Sequence, residues 1–272
     1  MDRRAEIAAA LGVHTTIDVE AEIGRRVGFL DAAMSEAPAA GLVLGISGGV
    51  DSATAGHLCQ LAAQRRRDRG DSAQFLALRL PYGTQSDEAD AETVIAAIGP
   101  DRVFTVDIRP ATDATMRALA SAGHAFHDLA HEDFVAGNVR ARQRMVTQYA
   151  VANGLGGLVV GTDHAAEAVM GFFTKYGDGA ADVVPLTGLL KRQVRALAAR
   201  LGVPAAVVSK PPTADLEALR PMRLDEDAFG VSYDAIDDYL AGATTPDAVR
   251  EIIENTYDRT AHKRQLPTPP PG

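Results

Sequence analysis

Leu42-Val43-Leu44-Gly45-Ile46-Ser47-Gly48-Gly49-Val50-Asp51-Ser52 runs from an apolar strand through a glycine-rich turn into a helix-like segment. Glycines let a backbone pass close to an anion, and the first amides of a helix can donate hydrogen bonds to phosphate oxygens. The Ser47 and Ser52 hydroxyls add two more donors, so the turn reads as a phosphate cradle, with an ordinary capped turn as the plainer alternative. It is not a Walker A loop, because no Lys follows the second glycine, and it lacks the G-x-G-x-x-G spacing of dinucleotide folds. Asp51 indicates what neutralises the phosphate charge. An acid beside a triphosphate repels it unless a divalent cation lies between, and oxygen ligands suit Mg²⁺.

Working outward, hydrophobic periodicity predicts strands at Gly41 to Ile46, Phe75 to Leu80, Val103 to Asp107 and Leu158 to Gly161, with helical patterns between them. Alternation of this kind implies an α/β fold: an open, mostly parallel sheet with helices on both faces, Rossmann-like, in a single domain. Ligands of such sheets bind beyond the carboxyl ends of the strands. The turn at Ser47 to Ser52, the stretch after Leu80 and the motif from Gly161 all follow strands, so three motifs converge on one edge.

Asp133 to Asn153 suits a long helix capped by Asp133 and ended by Gly154, with Val135, Val139, Met145, Val146 and Tyr149 as an apolar stripe. Such a stripe reads as core, or as a subunit interface. Lys175 to Leu189 carries several glycines and reads as a loop that orders around ligand, and the proline-rich Ser209 to Arg223 as a second. Residues 1–266 form the expected domain, and the Pro-rich 267–272 a frayed tail.

The formal charge of −9 argues against nucleic acid as a partner. No apolar run approaches the ~20 residues of a membrane span. The N-terminus, Met1-Asp2-Arg3-Arg4, is followed by too short an apolar region for a secretory signal, so the cytoplasm is the expected compartment. Cys59 is the single cysteine and reads as a small core residue. Arg65-Arg66-Arg67-Asp68-Arg69 ends a helix and reads as solvated surface.

S-G-G-x-D-S after a buried strand resembles the pyrophosphate loop of N-type ATP pyrophosphatases. Further segments narrow the resemblance: Arg79-Leu80-Pro81-Tyr82-Gly83, Gly161-Thr162-Asp163-His164-Ala165-Ala166-Glu167, Gly171 to Gly179, and Pro212-Thr213-Ala214-Asp215-Leu216. Together they resemble the ammonia-dependent NAD synthetases over nearly the whole chain. The resemblance implies amidation of deamido-NAD⁺ to NAD⁺ with ammonia, through an adenylated nicotinate carboxylate, with release of AMP and pyrophosphate.

It also implies roles for particular residues. Gly45, Ile46, Ser47, Gly48, Gly49, Val50, Asp51 and Ser52 would bind ATP together with Arg79, Gln85, Thr162, Lys191 and Thr213. Arg142, Lys175, Asp182, His262 and Lys263 would hold deamido-NAD⁺, Asp51 and Glu167 would hold Mg²⁺, and Asp178 would lie by the ammonia. Asp178 and Lys191 are the expected catalytic pair, and the enzyme is expected as a homodimer whose long central helices meet. Val50 stands where the family commonly has Gln, which affects one side-chain contact and leaves the backbone donors in place.

Spacing alone also suggests that Asp163 and Glu167 share a helical face, on a helix starting near Thr162, with Asp163 orienting the loop and His164 structural. His124, His127 and His131 could align three imidazoles for a metal, but the interleaved acids favour a polar helix face. Gly154-Leu155-Gly156-Gly157 precedes a strand and reads as a helix stop. Other adenylating pyrophosphatases and a nucleotide sensor of the same fold remain alternatives. A thiolating enzyme would want reactive cysteines, and a glutamine-using one a further domain with a nucleophilic Cys, whereas Cys59 stands alone.

Overall fold

The computed structural model describes residues 2–83, 88–214, 219–220, 223–267 and 269–270. After helices α1 (Arg3–Ala10) and α2 (Val19–Glu36), the chain alternates β1 (Gly41–Gly45), α3 (Val50–Arg67), β2 (Gln74–Arg79), α4 (Glu88–Ile98) and β3 (Arg102–Thr105). Helices α5 (Arg109–Ser121) and α6 (Leu129–Leu155) lead to β4 (Leu158–Val159). The four strands form one parallel sheet in the order β3-β2-β1-β4, with Gly41 opposite Gln74 and Leu42 opposite Leu158. A parallel bridge between Val160 and Val183 extends the β4 edge.

Period-2 alternation divides each central strand between two layers. Leu42, Leu44, Phe75 and Ala77 face one core with Leu30 and Met34 of α2 and Leu58 and Cys59 of α3. Val43, Leu76 and Leu78 face the other with Ile108 and Ala152. Both faces are covered, so the strands read as continuous apolar runs, as parallel sheets require. Cys59 is fully buried, and burial pushes its thiol well up, so it is a core residue and not a nucleophile.

The remainder is α7 (Ala165–Met170), α8 (Lys191–Arg200), α9 (Ala205–Ser209), the antiparallel pair β5 (Thr213–Ala214) and β6 (Arg223–Leu224), α10 (Asp225–Phe229), α11 (Tyr233–Ala241) and α12 (Asp247–Arg259). Ile7, Val169, Met170, Tyr233, Ile236, Tyr239 and Ile253 form a separate apolar cluster there.

Four local expectations change. The long helix starts at Leu129, capped by Asp128, whose side chain accepts from His131 N at 2.8 Å, and it ends at Gly156 with φ 68°. Asp133 lies inside it and instead accepts from Leu219 N at 2.7 Å. Of its expected stripe, Val135, Val139, Met145 and Tyr149 are half-buried and Val146 is exposed, while the residues the helix buries are Asp133, Gly137, Arg140, Ala141 and Ala152.

The arginine run is not simply solvated. Arg69 grips the buried Asp31 of α2 with two hydrogen bonds of 2.6 and 2.8 Å, Arg66 donates to Ser35 Oγ, and Arg67 donates to Asp101 and the Ala73 carbonyl. Asp31 is held below the ordinary carboxylate range, chiefly by the Arg69 hydrogen bonds. The run staples α3 to α2 and to the start of β3.

The segment from Lys175 to Leu189 is packed into the fold. Val183, Leu186 and Leu189 are buried, and Asp182 accepts from Val159 N at 2.7 Å, which fixes the segment to the sheet edge. His127 and His131 stack at 4.8 Å, and His131 Nδ1 accepts the His127 backbone N–H.

Candidate active site

Strands β1, β2 and β4 end on one edge, and a cavity of about 500 Å³ opens there. Its wall includes Ser47, Gly49, Val50, Asp51, Ser52, Arg79, Thr162, Glu167, Asp178, Lys191, Thr213 and Lys263. Motifs separated by more than 200 residues of sequence thus meet at the position expected of an open parallel sheet.

The glycine turn is held by its own serines. Ser52 Oγ donates to the Gly49 carbonyl at 3.1 Å and accepts from Ser47 N at 3.3 Å, and Gly49 N donates to Ser47 Oγ at 3.3 Å. Gly48 has φ +87°, and a Cβ there would lie 2.8 Å from Ala91 N of α4, so only glycine fits. The first intrahelical bond is Ala53 N to the Gly49 carbonyl, which leaves the amides of Val50, Asp51 and Ser52 without intrahelical partners at the positive end of α3.

Beneath the turn lies a buried ion cluster. Lys191 Nζ donates to both Asp51 oxygens, at 2.7 and 3.0 Å, and is 3.3 Å from His164 Nε2. His164 Nε2 is in turn 3.5 Å from Asp51 Oδ1 and 3.5 Å from Glu167 Oε1. Lys191 is 1% exposed, and its ammonium also stands 4.7 Å from the Tyr233 ring centre. Its helix is fixed from outside: Asp237 of α11 is fully buried and accepts from the backbone amides of Lys191 and Arg192 at 2.9 and 2.8 Å. This carboxylate caps α8 and sets where Lys191 begins.

The titrations follow from these contacts. Burial pushes the Asp51 carboxyl up, but Lys191, His164 and Arg195 together hold it below its ordinary value. Burial depresses Lys191 and His164, yet neighbouring carboxylates raise both, Asp51 most for Lys191 and Glu167 most for His164. Asp178 lines the cavity and keeps an exposed surface; desolvation by the surrounding protein and the Glu167 charge raise its carboxyl, against the hydrogen bond from Thr174 N at 2.9 Å. Asp163 is pushed up to about 8, first by burial and then by the Glu167 charge, and its Oδ1 has no hydrogen-bond partner among the described residues.

The expected deamido-NAD⁺ residues gather only in part. Arg142 donates to the Lys175 carbonyl at 3.2 Å, Lys175 Nζ donates to the His262 carbonyl, and Lys263 Nζ donates to the carbonyls of Gly171 and Phe173 at 2.9 Å. Asp182 stands apart, accepting from Tyr149 OH at 3.3 Å as well as from Val159 N. Of the five, Lys263 alone is among the cavity-lining residues. Arg79 reaches the cavity with its guanidinium on Glu88 at 2.5 Å and Glu92 at 3.3 Å. Gln85, with Asp215 and Leu216 of the proline-rich segment, lies outside the described residues.

One expectation about the G-T-D-H motif changes. Helix α7 starts at Ala165 with His164 as its cap residue, so Asp163 precedes the helix and the i,i+4 argument does not apply, although the two carboxyls still repel. His164 lies between the two carboxylates that the resemblance implies as metal ligands. Asp51, His164 and Glu167 present ligand atoms within 4.8 Å of one another, the grouping of this kind found among the described residues. Sequence reasoning also missed Asp225, 6% exposed, whose Oδ2 accepts from Tyr233 OH at 3.0 Å and whose carboxyl burial pushes up to about 6. An acid-rich helix start after a proline-rich stretch, Leu224-Asp225-Glu226-Asp227, was the available signal.

Residues 22–267 match the family described as NAD synthase. The chain belongs to the NAD synthase family. Among its relatives, the NH(3)-dependent NAD(+) synthetase of Streptomyces coelicolor is 60% identical over 265 residues, 97% of this chain and 96% of the relative. The crystal structure of NAD⁺ synthetase from Burkholderia pseudomallei aligns with a TM-score of 0.84 at 53% identity, covering 97% of each chain. The structure of NMN synthetase from Francisella tularensis aligns with a TM-score of 0.81 at 35% identity, covering 94% of this NAD synthase family member and 99% of that chain.

Proposed function

We propose that this chain is an ammonia-dependent carbon–nitrogen ligase that converts deamido-NAD⁺ to NAD⁺ with ATP, the final step of NAD biosynthesis. One observation carries the reading: the Asp51, Glu167 and Lys191 cluster lies under a glycine turn built for phosphate, in a chain 60% identical to an NH(3)-dependent NAD(+) synthetase.

A carboxylate is a poor electrophile, so the reaction has two stages. A nicotinate carboxylate oxygen bonds to the α-phosphorus of ATP as the bond to the β-phosphate bridging oxygen breaks, which releases pyrophosphate and leaves an acyl adenylate. Ammonia then bonds to the acyl carbon, the bond to AMP breaks, and one proton leaves the nitrogen to give the amide. The residues Gly45 to Ser52, with Thr162, Lys191 and Thr213, bind the phosphates of ATP in this scheme, and Arg79 and Gln85 its adenosine. Arg142, Lys175, Asp182, His262 and Lys263 bind deamido-NAD⁺.

Adenylation brings an anion toward an anionic triphosphate, so fixed positive charge in a water-poor site lowers the barrier. Lys191 supplies it without reorganising, since Asp51 and Asp237 hold it in position. The hard oxygen donors of Asp51 and Glu167 fit Mg²⁺, with His164 as a neighbour that orients both. Bound there, Mg²⁺ would offset charge on the triphosphate. Asp178 receives the proton lost by the ammonia nitrogen, a role suited to a carboxyl raised above its ordinary value.

The exposed Leu129, Phe134 and Val146 of α6, and the deamido-NAD⁺ residues outside the cavity, support a homodimer in which α6 meets its partner. No described helix is long and apolar enough to cross a membrane, and the cytoplasm is the proposed compartment.

The test is NAD⁺ formation from deamido-NAD⁺, ATP, Mg²⁺ and ammonium, with glutamine replacing ammonium in parallel, and with the nicotinate mononucleotide as a competing acid. One AMP and one pyrophosphate per NAD⁺, with ammonium and not glutamine, is the expected result. ATP binding without NAD⁺ formation would overturn the reading.

A further inference from the structure

The cations that line the cavity differ in how firmly they are held. Lys191 is 1% exposed and bound to both Asp51 oxygens. Arg79 is shared between Glu88 and Glu92, and Lys263 is spent on two backbone carbonyls. Lys210, which follows α9 and lines the same cavity, makes a single ion pair among the described residues: its Nζ donates to Asp90 Oδ2 at 2.6 Å. Both side chains are partly open to solvent, 26% for Lys210 and 44% for Asp90, and such exposed pairs are weakly held.

The position of that pair gives it meaning. Asp90 is in the first turn of α4, and a Cβ at Gly48 would lie 3.0 Å from Asp90 Cβ and 2.8 Å from Ala91 N. The Lys210 ammonium therefore hangs beside the glycine turn whose amides face the phosphate site. Asp90 is also a negative charge at the rim of a site that must accept a polyanion.

We propose that Lys210 is a further phosphate-binding residue of the ATP site, and that Asp90 holds it there until nucleotide arrives. On binding, Nζ moves from Asp90 Oδ2 to an oxygen of the β- or γ-phosphate, a short swing of a flexible side chain. This rests on the proposed ATP site and adds to it one cation and one competing anion. The two residues of the pair then act in opposite directions: Lys210 favours ATP, and Asp90 opposes it both by its own charge and by occupying Lys210.

The test is calorimetric titration of the full chain with Mg²⁺ and α,β-methylene-ATP, and separately with AMP, using wild type, Lys210→Ala and Asp90→Asn. A hydrogen bond between charged groups is worth about tenfold to a hundredfold in affinity. Lys210→Ala should weaken the ATP analogue by about tenfold or more and leave AMP within about twofold, while Asp90→Asn should tighten the analogue about two- to fivefold. A pair that only braces the fold would weaken both variants together, and that result overturns the proposal. Equal losses for the analogue and AMP, or an unchanged analogue affinity in Lys210→Ala, would do the same. A wild type that binds no ATP analogue would overturn the ATP reading and this proposal with it.

Discussion

Replacing Lys191 by Met keeps most of the side-chain volume and removes the ammonium that Asp51 needs. At ~3 Å and an effective dielectric of ~20, the lost attraction is roughly 5 kcal/mol. The Asp51 side chain keeps 20% of its surface open, and His164 and Arg195 still favour its charge, so part of that loss is recovered. The expected net cost is about 3 kcal/mol, the low end for breaking a buried pair from one side. In urea at pH 7, with a slope of ~3 kcal/mol/M, the unfolding midpoint should fall by about 1 M. Asp51→Asn should cost a similar amount, since it leaves Lys191 buried and unpaired, and the double variant should lose about 2 kcal/mol less than the sum. Asp51 is depressed below 3.8 in the fold, so its stabilisation is present above pH 3.8 and lost as the pH falls through the folded value. The gap between wild type and Lys191→Met should therefore narrow below pH 4. A cost under about 1 kcal/mol, or additivity of the two single variants, would refute the mutual dependence of the pair.

Asp163→Asn should stabilise the protein at alkaline pH, because a carboxyl raised from 3.8 to about 8 gives stability at low pH that is lost as the pH climbs through 8. Denaturation at pH 5 and pH 8.5 should show the variant's gain larger at the higher pH by about 2–4 kcal/mol, and an equal gain at both would reject the cost of a buried charge as the cause. Gly48→Ala combines a positive φ with a collision on the α4 backbone and should lower the melting temperature by about 5 °C and weaken ATP at least tenfold. Gly49→Ala is the control: its Cβ would meet nothing closer than Ser47 Oγ at 3.5 Å, and a loss as large as at Gly48 would argue against the steric account. Asp178→Ala should raise KM for ammonia more than KM for ATP, and an unchanged ammonia dependence would remove Asp178 from the proton path.

The four strands were legible because each is a short apolar run followed by a turn, and a parallel sheet buried on both faces leaves no other place for such runs. Glycine chemistry exposed the phosphate turn for the same reason: Gly48 at φ +87° against α4 admits no other residue. The sequence could not say that His164 sits between Asp51 and Glu167, since that requires β1 and β4 to be neighbours, a long-range fact. The partners of the arginine run were hidden likewise, because Asp31 lies a whole helix away in the chain. Helix ends were misjudged where two candidates competed. Asp128 and Asp133 are both capping types; Asp128 takes the cap, while Asp133 accepts from Leu219 N, 86 residues away in the chain.

The buried cap from Asp237 to the start of α8 bears on the order in which the molecule can be made. During synthesis the phosphate turn emerges early, yet its counter-ion Lys191 lies 140 residues later, and the carboxylate that fixes Lys191 comes 46 residues later still. Until Asp237 has left the ribosome, α8 has no anchor at its head, and a nascent chain carries the glycine turn without the charge that completes it. The glycine turn therefore gains its buried counter-ion, and the cap that fixes it, only late in synthesis.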